Sequence, residues 1–150
     1  MINVSQEEKW MLYALKEAKK AFEIDEVPIG AIIVNQDKII GRGFNQVERL
    51  NDATAHAEII AITSAENTSE NWRLNGCSIY VTKEPCIMCF GAIINARIEK
   101  IYYGMDDPDK GFRTIQDKAN LVTPHLNYTK GNILELESKK IIQKFFKKKR

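Results

Sequence analysis

Two short segments of the sequence bring together side chains able to hold a metal ion. One is Thr54-Ala55-His56-Ala57-Glu58 and the other Glu84-Pro85-Cys86-Ile87-Met88-Cys89. Cys86 and Cys89 lie about one helical turn apart, so their sulfurs face the same way and can share one ion. Pro85 suits the opening of a helix, where the dipole favours thiolate, the form that binds metal. Thiolates with an imidazole select zinc. His56, also at an expected helix start, is the natural third ligand. On ideal helix geometry Glu58 is rotated from His56 by roughly 200°, which turns it away from the ion and toward a water on it. Three protein ligands leave the fourth tetrahedral position open, as catalytic zinc sites do.

The spacing leaves other readings open. A single Cys-x-x-Cys is as consistent with a structural or redox pair as with a catalytic one. Cys77, at a strand start, or His125, after a proline in a loop, could close a structural site with four ligands. The chain has 3 cysteines. An odd number fits no disulfide framework in a reducing compartment.

Hydrophobic pattern predicts the helices and strands that carry these residues. Ser5-Gln6-Glu7-Glu8 resembles a capping box, and Trp10, Leu12, Tyr13, Leu15, Ala18 and Phe22 recur at near-helical spacing, which predicts a helix closing near Ile24-Asp25. Ala31 to Val34 and Lys38 to Gly43 read as a hairpin turned by Asn35-Gln36-Asp37. Helices are expected over Thr54 to Glu66 and from Pro85 to about Ala96, and strands over Ser78 to Thr82 and Lys100 to Gly104. The segment Asp106 to Lys118, rich in Asp, Lys, Pro and Gly, reads as a long functional loop or irregular segment. Asn132 to Glu135 is either a short edge strand or the start of a last helix running to about Lys147. This alternation predicts a single three-layer α/β/α domain, 1–150, with a mixed central sheet.

Composition narrows the class. With 150 residues, 44% hydrophobic and 28% charged, the chain is too apolar for disorder. Its longest apolar stretch, Cys86 to Ala96, falls short of the roughly 20 residues a membrane helix needs. The polar, acidic start offers no secretory signal, so a cytoplasmic protein is expected. The net charge of +2 conceals an asymmetry. Lys139, Lys140, Lys144, Lys147, Lys148, Lys149 and Arg150 contribute +7, leaving −5 on residues 1–138. Charge by itself favours a frayed solubilising end over a contact for a polyanion such as RNA.

The conjunction of His-x-Glu with Pro-Cys-x-x-Cys after a buried strand matches the signature of zinc-dependent nucleobase deaminases. Nearly end to end, the chain resembles the bacterial tRNA-specific adenosine deaminases, a branch of the cytidine deaminase-like superfamily. The resemblance rests on Asp25-Glu26-Val27-Pro28-Ile29-Gly30-Ala31, Gly41-Arg42-Gly43-Phe44-Asn45, Asn51-Asp52-Ala53-Thr54-Ala55-His56-Ala57-Glu58, Tyr80 to Cys89, Gly91-Ala92-Ile93 and the terminal Phe145-Phe146 with its basic flank. It implies a cytidine deaminase-like fold and one zinc per chain held by His56, Cys86 and Cys89. It implies an activated water that attacks C6 of adenine, with Glu58 as the proton shuttle. Asn45 matches a base-contacting asparagine, although by its type a turn-holding role is the plainer reading. Ile29 and the backbone of Ala57 would line the pocket.

The resemblance further implies a tRNA anticodon stem-loop as partner, a homodimer, and polynucleotide contacts at Asp107, Phe145 and Phe146 with the basic residues after them. Two features depart from the family pattern. Lys83 stands where relatives have an apolar residue, and Phe112-Arg113-Thr114-Ile115 replaces a stretch of small residues. Two rival functions remain: a deaminase of free bases or nucleotides, of guanine or cytosine type, on the same fold, and a non-catalytic RNA-binding module stabilised by zinc.

Overall fold

A computed structural model describes residues 4–119 and 122–149; Arg150, counted in the basic end, lies outside them. Helix α1, Gln6–Glu23, opens on the expected capping box: the Glu8 amide donates to Ser5 Oγ at 3.1 Å and the Ser5 amide to Glu8 Oε1 at 3.3 Å. Its Trp10, Met11, Ala14, Ala18 and Ala21 are buried. Strands β1 (Gly30–Asn35) and β2 (Lys38–Phe44) form the hairpin. Gln36 and Asp37 both take positive φ, 49° and 59°, the backbone a tight two-residue hairpin turn needs. The chain continues through α2 (Val47–Leu50), α3 (Ala57–Ser69), β3 (Ser78–Lys83), α4 (Ile87–Asn95), β4 (Lys100–Met105), α5 (Phe112–Ala119), β5 (Tyr128–Lys130) and α6 (Glu135–Lys148).

The strands form one sheet in the order β2-β1-β3-β4-β5. β1 runs antiparallel to β2 and β3, whereas β3, β4 and β5 are parallel, so the sheet is mixed. Alternation along the central strands sends side chains into two cores. Ala31, Ile33, Ile79, Val81, Ile101 and Tyr103 join Ala57, Ala61, Phe90 and Ile93 of α3 and α4. Ile32, Val34, Tyr80 and Tyr102 join Trp10, Met11 and Ala14 of α1 on the other face. The three-layer expectation holds. On β2, a Cβ at Gly43 would run into the Ala57 carbonyl and the Ala61 amide, so glycine there lets α3 lie directly on the strand.

Several boundaries depart from the sequence expectation. The Asp106 to Lys118 segment is not irregular throughout, because α5 occupies Phe112–Ala119. Long-range contacts launch that helix. Phe112 is buried and stacked on Phe90 at 4.5 Å between centroids, its amide donates to the Pro85 carbonyl, and the Arg113 amide donates to Glu84. Of Asn132 to Glu135 only Glu135 is helical, as the first residue of α6, and none of the segment lies in the edge strand. The edge strand is Tyr128–Lys130, and left-handed backbone at Asn132 and Leu134 separates it from α6. The short α2 had no periodic signal. It is held by the buried Glu26 carboxylate, which accepts from the Arg49 amide at 2.6 Å and the Glu48 amide at 3.3 Å.

Candidate metal centre and its cleft

His56 and Cys86 each stand at the N-cap of a helix in extended backbone, His56 before α3 at φ −73° and ψ 155° and Cys86 before α4 at φ −73° and ψ 175°. α3 therefore begins three residues and α4 two residues later than their sequence signals suggest. Only Glu58 lies within α3, so it shares no helix with His56 and the expected rotation between the two does not apply. Glu58 is nevertheless a neighbour of the cluster, buried against the Cys89 thiol and close to His56 and Cys86.

The three expected ligands converge. His56 Nδ1 lies 3.7 Å from Cys86 Sγ and 3.5 Å from Cys89 Sγ, and the three donor atoms all fall within 4.8 Å of one another. A tetrahedral zinc with ordinary Zn–S and Zn–N bonds has N···S edges of about 3.6 Å, so the residues present fit that ion. Neither Cys77 nor His125 joins the cluster among the described residues, and the Cys77 thiol points instead to the Asn75 carbonyl at 3.8 Å. The closed four-ligand site is thus not the one this fold builds.

The electrostatics suit metal binding. The Cys89 thiol hydrogen-bonds Cys86 and, against the opposing effect of burial, His56 adds to it, so the Cys86 thiol is pulled down to about 3. The same hydrogen bond to Cys86, with burial, pushes Cys89 up, and the hydrogen bond to Cys86 raises His56. One thiolate, that of Cys86, is ready at neutral pH. Burial pushes Glu58 up to about 7, the range in which a carboxylate both accepts and returns a proton.

A cleft of about 1170 Å³ opens beside this cluster and is lined by every expected contact residue outside the metal set: Ile29, Asn45, Ala57, Glu58, Asp107, Phe145 and Phe146. Asn45 sits just past β2, its amide donating to the Ile29 carbonyl at 3.1 Å, and is 7% exposed. The two phenylalanines differ. Phe145 is buried edge-on against Phe22 of α1, whereas Phe146 is 48% exposed. Only Phe146 offers a free face for stacking. The basic end is also less frayed than its charge suggests. α6 extends to Lys148, the Lys149 ammonium pairs with Asp25, and Lys144 and Lys148 lie over the Phe22 ring.

Sequence reasoning assigned no role to Glu84, Glu26, Arg49 or Lys110, all of which line the cleft. Glu84 is buried, and its carboxylate accepts from the Asp107 and Arg113 amides at 3.0 and 3.1 Å and pairs with the Arg113 guanidinium. It clamps the segment between β4 and α5. The signal was present, since an acidic residue directly after a buried apolar strand must find donors. Asp107 is largely engaged within the protein, accepting from the Asp109 and Lys110 amides and lying 3.3 Å from Lys83 Nζ.

Comparison with known proteins places this arrangement. The model of the MafB19-like deaminases matches residues 5–150. The tRNA-specific adenosine deaminase of Buchnera aphidicola subsp. Schizaphis graminum is 48% identical, with 94% of each chain covered. A solved structure from work on A-to-I editing by tRNA:A34 deaminases superposes with a TM-score of 0.83 at 41% identity, over 89% of this chain and 98% of that one. The guanine deaminase of Bacillus subtilis superposes with a TM-score of 0.64 at 32% identity, over 80% of this chain and 73% of its own. The cytidine deaminase-like fold is thereby established. The chain belongs to the MafB19-like deaminase family, in the branch of the tRNA-specific adenosine deaminases.

Proposed function

We propose that the protein hydrolytically deaminates adenosine to inosine at the wobble position of a tRNA anticodon, with one zinc per chain held by His56, Cys86 and Cys89. The observation that carries this reading is the open three-ligand cluster, with buried Glu58 beside it, in a cleft that exposed Phe146 also lines. When bound, zinc lowers the pKa of a coordinated water to about 7 and so supplies the nucleophile near neutral pH. Glu58 takes the proton from the attacking water and delivers it to ring N1 as C6–O forms, then carries a second proton from the new C6 hydroxyl to the amino group as C6–N breaks, so that ammonia leaves and inosine remains. Asn45 hydrogen-bonds the base edge, Ile29 packs on its face, and Ala57 lines the pocket with its backbone. Phe146 and the lysines of α6 take the neighbouring bases and phosphates.

Glu58 favours this reading over a non-catalytic RNA-binding module, because a module has no use for a buried carboxylate poised near neutrality at an open metal position. A homodimer is supported by the outer face of α4, where Ile87 is 48% exposed and Gly91 has nothing within 4 Å of its would-be Cβ. Among the described residues, no helix is long and apolar enough to cross a membrane. The rival deaminase of free bases is tested by offering the zinc-loaded protein an anticodon stem-loop with adenosine at the wobble position and, separately, free guanine, cytosine, adenosine and cytidine. Turnover of the stem-loop is expected; turnover confined to free bases overturns the proposal.

A further inference from the structure

The end of β3 directs two side chains of opposite charge into the same segment of chain. Glu84 grips the backbone of Asp107 and Arg113, as described above. Lys83, the residue before it, reaches the Asp107 side chain: Nζ lies 3.3 Å from Oδ2, and the two side chains are 29% and 15% exposed. The other oxygen, Oδ1, accepts from the amides of Asp109 and Lys110 at 3.2 and 3.0 Å. Both Lys83 and Asp107 line the cleft. An ion pair at this depth is screened less than one on open surface, and its partner carboxylate is already fixed by backbone donors.

A polyanion entering the cleft passes this wall. A bare carboxylate there repels phosphate, while a paired one presents no net charge. We infer that Lys83 is a positioning residue that acts through Asp107: it cancels the aspartate's charge at the cleft and holds the segment from Asp107 to Lys110 in its bound-ready form before substrate arrives. An apolar residue at position 83, the type the family resemblance leads one to expect, leaves the Asp107 carboxylate uncompensated. The inference rests on the reading of the cleft as an RNA site only for its effect on substrate. The ordering of the segment stands without it.

Two measurements test it. Amide hydrogen exchange on the free, zinc-loaded protein needs no substrate: Lys83→Met speeds exchange at Asp109 and Lys110 severalfold, and Lys83→Arg restores protection. Unchanged exchange in Lys83→Met overturns the inference even if the RNA reading is correct. The second is steady-state turnover of the anticodon stem-loop by native protein and Lys83→Met, each with Asp107 intact and in an Asp107→Asn background, with zinc content measured throughout. With Asp107 intact, Lys83→Met raises KM about fivefold and leaves kcat within about twofold. In the Asp107→Asn background the same substitution shifts KM by less than about twofold, since the charge it compensated is gone. An equal KM rise in both backgrounds overturns the inference and makes Lys83 a direct substrate contact. Failure of the native protein to turn over the stem-loop counts against the proposed function, and the exchange measurement still decides the role of Lys83.

Discussion

Nδ1 of His56 lies 3.5 Å from the sulfur of Cys89, although 33 positions separate the two in the chain. The sheet brings them together. Glycine at position 43 seats α3 against β2, β1 and β3 pair in the middle of the sheet, and α3 and α4 then begin at one end of it. Neither residue could have been brought to the other by local sequence, and the distance matches the tetrahedral edge zinc requires.

The first expectation concerns that edge. Metal analysis of purified protein should find one zinc per chain. Cys86→Ser or His56→Ala should leave the chain largely metal-free under the same conditions. Full zinc in either variant would mean that the ion sits elsewhere.

Glu58 is expected to matter for chemistry and not for assembly. Glu58→Ala should keep the fold and the zinc, read by circular dichroism and metal content, while the deamination rate falls about 10³-fold. A loss of zinc in parallel with activity would assign Glu58 to metal retention instead.

Burial of Glu58 also has a pH signature in metal-free protein. Its carboxyl titrates near 7 in the fold, against an ordinary 4.5. Between those values the unfolded chain has released a proton that the native state still holds. Stability therefore falls as pH rises through that window, and the penalty is complete above the folded value. Glu58→Gln removes it. After chelation, the variant should gain up to about 3 kcal/mol over native protein near pH 8 and almost nothing near pH 4. Thermal melts at the two pH values distinguish this from a packing effect, which would be the same at both.

The contact that launches α5 gives a stability test. Phe112 is 1% exposed, stacked on Phe90 and edge-on to Tyr103. Phe112→Ala should cost about 3 to 5 kcal/mol in urea unfolding, as removing a core aromatic does. A cost under about 1 kcal/mol would place the segment outside the cooperative core.

How much of this was legible beforehand depended on how local the physics was. The capping box at Ser5, the apolar strand-length runs of β1 and β3 and the Cys86 to Cys89 spacing are all set by neighbours in sequence, and each was readable. Phe112–Ala119 and Tyr128–Lys130 were not, because their partners are remote: α5 starts where Phe112 meets Phe90 and Glu84 meets the Arg113 amide, and β5 exists through its pairing with β4. The candidate site divides the same way. His56, Glu58, Cys86 and Cys89 stood out through motif spacing, whereas the grip of Glu84 on the Asp107 segment needed the fold. Phe145 and Phe146 looked equivalent as adjacent aromatics, until helical rotation turned one into the core against Phe22 and left the other outside.

On the proposed function this cleft converts the wobble adenosine of a tRNA anticodon to inosine. The most direct measurement incubates zinc-loaded protein with an anticodon stem-loop that carries adenosine at the wobble position and at one other loop position, and reads each position by mass spectrometry of nuclease fragments. Inosine at the wobble position only, absent when Glu58→Ala replaces the native protein, is the predicted result. Intact adenosine at the wobble position, or inosine that persists in the Glu58→Ala variant, would contradict it.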